Sequence, residues 1–370
     1  MKILFAGDAS NMHHCLAQQL RQMGHYAVVA SGGSGWMNTG RDIDLRRYPG
    51  RIGAVRYVAT LLANLHKMRG FDVVQLCGPI FFELKPWRLK HVLNFLKNHN
   101  GKIVLSALGT DYVYYNACHD GHTYRYSDYM VGNQPSPYVG SPEYFAQQQD
   151  NWKAPFMKDY SDFVLSTIDG AVACLWEYYA AYAPILGPKV IHAGIPIDVD
   201  ALQPHFIDEE PEKVRFFIGI QRKRTVIKGT DRLMAALERV HAEMPDRCEI
   251  ERVENLPYDE YVRRMNSSHV LLDQLYSYTP ATNALLAMAQ GMVAVSGAEP
   301  EYYDLIGETT NHPIINVSPT PEGHIEQQLR WLIENKAMLP TLSHNSRTFV
   351  ETHNAANKVA KRYLDFWETL

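Results

Sequence analysis

Two stretches of this sequence hold residues whose types and spacing suit chemistry on an anion. In "GIQRKRTVIKGTD" (219–231), Gly219 lies at the end of an apolar strand, Arg222, Lys223 and Arg224 follow it, and Lys228-Gly229 stands before a helix. Cations at the carboxyl end of a strand suit a diphosphate, because Arg grips two oxygens and Lys acts as a point charge. In "LYSYTPATNALLAMAQG" (275–291), Thr279, Pro280, Thr282 and Asn283 gather at the start of a second helix. Its unsatisfied amides and positive dipole end favour a negative charge. Each stretch also has a structural reading: a solvated basic loop, and a helix capped by Thr279 or Thr282. Expected at one edge of one sheet, the two together read as a diphosphate cradle with Arg222 and Lys228 as its cations.

A third loop, "GDASNMHH" (7–14), follows a strand. Gly7 permits close backbone approach, and Asp8, Asn11, His13 and His14 would face a second ligand. The competing reading is a capped helix bearing histidines. The dinucleotide fingerprint GxGxxG is missing, which argues against a nicotinamide enzyme. "CHDGH" (118–122) offers His119, Asp120 and His122 as metal ligands, yet no fourth ligand accompanies them and Asp-Gly is ordinary turn chemistry; no metal is expected.

The elements that must position these residues alternate. "KILFAGD", "YAVVASGG", "FDVVQLCG", "GKIVLSALGTD", "DGAVACLW" and "KVIHAGIPID" read as strands separated by helical stretches. A second alternation begins at "VRFFIGI" (214–220) and continues through "CEIERVE", "HVLLDQL", "GMVAVSG" and "PIINV". Strands alternating with helices predict parallel α/β sheets, here two in series. Residues 112–160, with nine tyrosines, interrupt the first alternation and read as a lid or binding loop.

The 370 residues suit two cores rather than one. Residues 1–110 carry fourteen Lys/Arg against five Asp/Glu, although the whole chain nets −4. Such asymmetry suggests an anionic surface facing the first domain. "VRYVATLLANLHKMRG" repeats apolar residues at 55, 58, 61, 62 and 65, predicting a helix with that face against a sheet. The overall negative charge, with no basic stripe interleaved with aromatics, argues against nucleic-acid binding. Five scattered cysteines without a CxxC pair, and no apolar run of membrane-spanning length, lead to the expectation of a reduced cytoplasmic protein, with peripheral contact to the inner membrane face through the basic domain.

The order of segments resembles the GT-B glycosyltransferases, in particular the family-four ("group 1") branch. The resemblance is carried by "FAGD", "LGTD" (108–111), "HAGIPID" (192–198), "GIQR" with "KGTD", "LLAMAQGMVAVSG" (285–297) and "EPE" (299–301). It implies an α/β fold of two Rossmann-like domains facing across a cleft: 1–195 for the acceptor, with the helix 355–370 returning to it, and 196–354 for the nucleotide sugar. Arg222 and Lys228 match the family's phosphate-binding pair. The family's two glutamates, eight residues apart, fall on Tyr278 and Leu286, and its histidine falls on Leu108.

By that resemblance Gly219, Arg222, Lys228, Tyr278, Thr279, Thr282, Asn283, Glu299 and Glu301 would line the donor side. Gly7, Asp8, Asn11 and His13 would line the acceptor side, and Asp111 would join Arg222 and Lys228 in catalysis. The implied activity is a metal-independent, retaining transfer of a hexose from a nucleoside-diphosphate sugar to a glycan or lipid-linked acceptor in cell-surface polysaccharide or glycoconjugate synthesis. No cofactor is expected besides the donor. The alternatives are a non-catalytic sugar-nucleotide or glycan-binding relative and a nucleotide-sugar epimerase.

Overall fold

Strands buried on both faces need uninterrupted apolar runs, and the runs above supply them. The structure, a computed structural model, describes the backbone of residues 1–370 and all side chains apart from those of Trp36, Asp150, Tyr258 and Asp259. In chain order the strands are β1 (Lys2–Ala6), β2 (Tyr26–Ser31), β3 (Ile43–Asp44), β4 (Val73–Cys77), β5 (Lys102–Ala107), the pair β6 (Met130–Val131) and β7 (Gln134–Pro135), β8 (Gly170–Ala173) and β9 (Val190–His192). There follow β10 (Val214–Ile220), β11 (Cys248–Glu254), β12 (Val270–Leu272), β13 (Val293–Ser296) and β14 (Ile315–Asn316). Two compact units divide the chain: Met1–Tyr115 with Asp150–Pro196 and Ala356–Leu370, and Asn116–Gln149 with Ile197–Ala355.

The first unit holds a seven-stranded sheet in the order β3-β2-β1-β4-β5-β8-β9, parallel throughout. Its core gathers Phe5, Leu16, Val29 and Val104 with Tyr363 and Trp367 of the helix Ala356–Thr369. The Trp367 indole is fully buried and donates to Gln75 Oε1 at 3.0 Å, which satisfies its one polar atom. The helix Gly50–Asn64 departs from the expected face. Gly53, Tyr57 and Leu61 turn inward, whereas Val55 and Leu62 are exposed. A Cβ at Gly53 would lie 2.0 Å from the Tyr48 carbonyl oxygen, so this close approach requires glycine. Tyr57 OH accepts from the Glu83 amide at 3.0 Å and fixes the rotation.

The second unit holds a five-stranded parallel sheet in the order β11-β10-β12-β13-β14. Phe216, Ile218, Leu237, Leu272, Val295 and Leu329 contribute to its core. Arg347, on the helix Leu339–His353, donates to the carbonyls of Val199, Leu202 and Ala289 at 2.9, 3.0 and 2.7 Å. Residues 116–149, which the sequence assigns to the first domain, cluster with this second unit. Val131 packs against its core, and the short helix Pro142–Ala146 starts on a Ser141 cap, whose hydroxyl accepts from the Tyr144 amide at 3.1 Å. No described helix is long and apolar enough to cross a membrane.

Candidate functional site

In open parallel sheets, ligands bind beyond the carboxyl ends of strands where the strand order reverses. In the second unit that point lies between the neighbours β10 and β12, aligned Ile218 to Leu272. Arg222 follows β10. It is largely exposed and forms an ion pair with Glu254. Lys228 closes the short helix Thr225–Lys228, and its Nζ lies 3.6 Å from Asp273 Oδ1. Asp273 immediately follows β12, because the apolar run "HVLLDQL" is strand only over Val270–Leu272. Its side chain is 1% exposed, and its Oδ2 is buried with no hydrogen-bond partner among the described residues.

Asn283 donates to Asp273 Oδ1 at 3.2 Å and accepts from Tyr261 OH at 3.0 Å. A Cβ at Gly219 would lie 2.6 Å from the Tyr261 ring, so Gly219 makes room for the tyrosine that holds Asn283. Lys228, Asp273, Asn283 and Tyr261 thus form one polar chain. The helix Thr282–Ala289 begins beside it, after extended Ala281, without a side-chain cap. Ala281, at the N-cap position, has no side chain that could cap the helix; Thr279 is buried and Thr282 half-buried beside it. Such an uncapped start presents amide donors and a positive dipole end.

The segment 116–149 supplies residues that the sequence reading missed. Tyr278 is buried, and its OH accepts from the Arg125 amide at 2.6 Å. The Arg125 guanidinium lies 5.2 Å from the Tyr278 ring centroid and forms ion pairs with both Glu299, at 2.6 Å, and Glu301. Tyr126 stacks on Tyr278 at 4.8 Å and donates to Glu299 Oε1 at 2.7 Å; Asn316 donates to the same oxygen at 3.0 Å. Glu299 and Glu301 are therefore engaged by protein groups rather than turned to solvent. Further along, the Glu143 carboxylate accepts from the amides of Val226 and Ile227 at 3.1 and 3.2 Å, and Gln147 donates to the Lys223 carbonyl at 3.0 Å. A lone Arg and a Ser-Pro-Glu turn in a tyrosine-rich loop carry no sequence signal for these partners. Asp273, an acid ending an apolar run, does.

In the first unit the order reverses between β1 and β4. Gly7 follows β1 with φ 86°, and a Cβ there would meet the Phe81 carbonyl at 2.5 Å. Asp8 accepts from the His13 amide at 2.9 Å and from Thr39 Oγ1 at 2.8 Å. It caps the helix Met12–Gln22, a role left to it because Asn11 sits in the left-handed region and provides no side-chain cap. The Oδ1 of Asn11 is buried without a hydrogen-bond partner among the described residues.

His13 is fully buried. Trp367 donates to Gln75, Gln75 to Ser106 Oγ at 3.0 Å, Ser106 to His13 Nε2 at 2.8 Å, and His13 Nδ1 to the Gly7 carbonyl at 2.8 Å. The carbonyl end of this chain fixes a proton on Nδ1, and burial favours the neutral ring, in which Nε2 accepts from Ser106. Burial lowers its pKa accordingly. His13, expected on the acceptor side, is fully buried with both ring nitrogens hydrogen-bonded within the first unit. Asp111 is also buried: its carboxylate accepts from Tyr182 OH at 2.6 Å and from the Tyr114 amide at 2.8 Å, at the start of the helix Tyr112–His119. Burial pushes it up to about 6. Asp120 spends its carboxylate on the amides of His122 and Thr123 in a turn, and no described cluster of three His, Cys, Asp or Glu could hold a metal.

No protein-family model and no curated protein matches this sequence. Solved structures do match it over its whole length. Anabaena HepE in complex with UDP-glucose superposes with a TM-score of 0.60 at 13% identity, covering 100% of both chains. Sucrose-phosphate synthase from Thermosynechococcus elongatus gives 0.62 at 12% identity, over 100% of this chain and 99% of that one. The catalytic domain of starch synthase IV from Arabidopsis thaliana, bound to ADP and acarbose, gives 0.61 at 10%, with the same coverage. This is the GT-B fold. At these identities the likeness is one of fold. Within the GT-B frame the chain's own residues must carry any argument about activity.

Proposed function

We propose that the protein is a glycosyltransferase that takes a sugar from a nucleoside diphosphate and that it resembles the family-four branch. The observation that carries this reading is the set of cations and the helix start at the carboxyl ends of β10 and β12, where the strand order reverses. Lys228 stands against buried Asp273 after β12, Arg222 reaches solvent after β10 and pairs with Glu254 of β11, and a helix whose N-cap is Ala281 starts at Thr282. HepE with UDP-glucose and starch synthase IV with ADP, on the same fold, support a sugar nucleotide as the ligand class.

In such a transfer the bond from the sugar's anomeric carbon to the diphosphate oxygen breaks, and negative charge collects on the leaving group. Lys228, Arg222 and the helix-start amides stabilise that charge. Removing one donor of this kind typically costs about 3 kcal/mol of barrier. The charge is met by protein cations, so the reaction needs no metal ion. The acceptor, a glycan or a lipid-linked sugar, belongs to cell-surface polysaccharide or glycoconjugate synthesis, and the anomeric configuration is retained.

Thermal-shift titration with UDP, GDP and ADP, each with EDTA, tests this. One nucleotide should stabilise the protein, by about 2.7 kcal/mol at a hundredfold excess over its dissociation constant. Arg222→Ala should weaken that binding at least tenfold and abolish sugar transfer. An unchanged affinity in the variant would sink the assignment.

One observation favours a non-catalytic relative instead. Arg125 already occupies Glu299 and Glu301, and Tyr278 and Leu286 stand where the resembled family has glutamates. Nucleotide binding without donor hydrolysis or transfer would decide for that reading.

A further inference from the structure

The outward face of the helix Gly50–Asn64 has no function in the donor reading. Ile52 is 86% exposed, Val55 71% and Leu62 60%. With exposed Ala59 they recur at intervals of three and four, forming one aliphatic stripe about 15 Å long at 1.5 Å per residue. The opposite face, Gly53, Tyr57 and Leu61, already buries the helix, so packing does not require the stripe.

The charges around the stripe are of one sign. From residue 45 to 71 the chain carries Arg46, Arg47, Arg51, Arg56, Lys67 and Arg69 and no Asp or Glu. Arg51 and Arg56 share a shallow depression with Ile52 and Val55. The Arg56 guanidinium sits 5.4 Å from the ring centroid of half-exposed Tyr48. The nearest acids in sequence are engaged elsewhere: Asp42 with Arg21, Asp44 with Arg41, and Asp72 with the Lys2 amide. Glu83 lies 3.9 Å from Arg47, a loose contact.

We propose that this helix docks on an anionic lipid bilayer. Ile52, Val55 and Leu62 enter the boundary between headgroups and acyl chains, while Arg51, Arg56, Arg46, Arg47 and Lys67 lie at the level of the lipid phosphates. A helix with an aliphatic face bordered by cations lies in a membrane interface in this way. The chemistry favours lipid over nucleic acid, because the stripe offers branched aliphatic groups and no row of aromatics on which bases could stack. It favours lipid over a protein groove because the border of the stripe is basic along its whole length, from Arg46 to Arg69, with no acid of its own. The docking is independent of the donor site in the second unit, and it brings the first unit to a surface where lipid-linked sugars reside.

Co-sedimentation of the full chain with vesicles tests the proposal. Phosphatidylglycerol-containing vesicles should bind the protein and pure phosphatidylcholine vesicles should not, with binding weakened by salt. Each cation lost should lower partitioning about fivefold, so Arg51→Glu/Arg56→Glu should nearly abolish it. Ile52→Ser/Leu62→Ser should reduce it at least tenfold, with the melting temperature and nucleotide response unchanged because both side chains are exposed. Absence of binding to anionic vesicles overturns the proposal. So does equal binding by the serine variant, or a dimer that the serine variant dissociates, which would assign the stripe to a second copy of the chain.

Discussion

Lys228 and Asp273 pair within the fold, and on the proposed reading the same lysine meets the diphosphate. Asp273 is nearly inaccessible, and its stabilising neighbours are the Lys228 ammonium and the Asn283 amide. Removing the cation leaves a buried carboxylate without its charge partner, which costs about 1–3 kcal/mol. Lys228→Ala should therefore lower the denaturant midpoint as well as nucleotide affinity. Adding Asp273→Asn should restore the midpoint but leave nucleotide affinity low, because only Lys228 carries the charge the diphosphate needs. Recovery of both together would mean that the lysine acts through folding alone. Lys228 was legible in the sequence as a cation before a helix. Its partner was not singled out, because a strand-end acid becomes meaningful only when the neighbouring strand is known.

At the scale of elements, the segment 116–149 is the largest departure from the sequence reading. Its tyrosines mark it as a functional loop, but nothing in their spacing tells which sheet they join. Backbone bonds from Arg125 and Tyr126 to Tyr278 OH, ion pairs to Glu299 and Glu301, and the Glu143 carboxylate on the amides of Val226 and Ile227 fasten it to the second unit. Arg125 is half exposed, so its ion pairs are screened and weaker than their geometry suggests. Arg125→Ala should lower the local opening free energy by about 1–2 kcal/mol, which speeds amide exchange over residues 124–131 roughly tenfold while global stability changes little. Exchange rates equal to wild type would show that tyrosine stacking alone holds the segment.

For the molecule as a whole, buried ionisable groups set the response to acid. Burial lowers the pKa of His13, and burial beside Arg215 brings His269 down to about 4. Both histidines are held neutral in the folded state. Their contribution is fully present above the ordinary histidine pKa of about 6.5 and is lost as the pH falls from there toward 4. Asp111 acts oppositely. Its folded pKa of about 6 lies above its ordinary 3.8, so the folded protein takes up a proton in that window and gains stability as the pH falls. Melting temperature should drop between pH 6.5 and 4. Asp111→Asn should steepen the drop, since it removes an opposing proton uptake; Asp231, also raised by burial, supplies another. A shallower profile in that variant would contradict the burial of Asp111 as an ionisable acid.

The sequence by itself determined the α/β class and the two successive parallel sheets, because parallel strands buried on both faces leave apolar runs that helical periodicity interrupts. It also brought out the cationic loop around Arg222 and Lys228, since strand-end loops in such sheets face ligands. Tertiary structure decided what each polar group is paired with. It spent Asp8 on a helix start and His13 on a buried donor chain, and it gave Glu299 and Glu301 to Arg125. It also decided which face of the basic helix turns outward. One-dimensional spacing says that residues share a face. Which face is buried depends on a close approach such as Gly53 against Tyr48, and pairing depends on neighbours brought together from far along the chain.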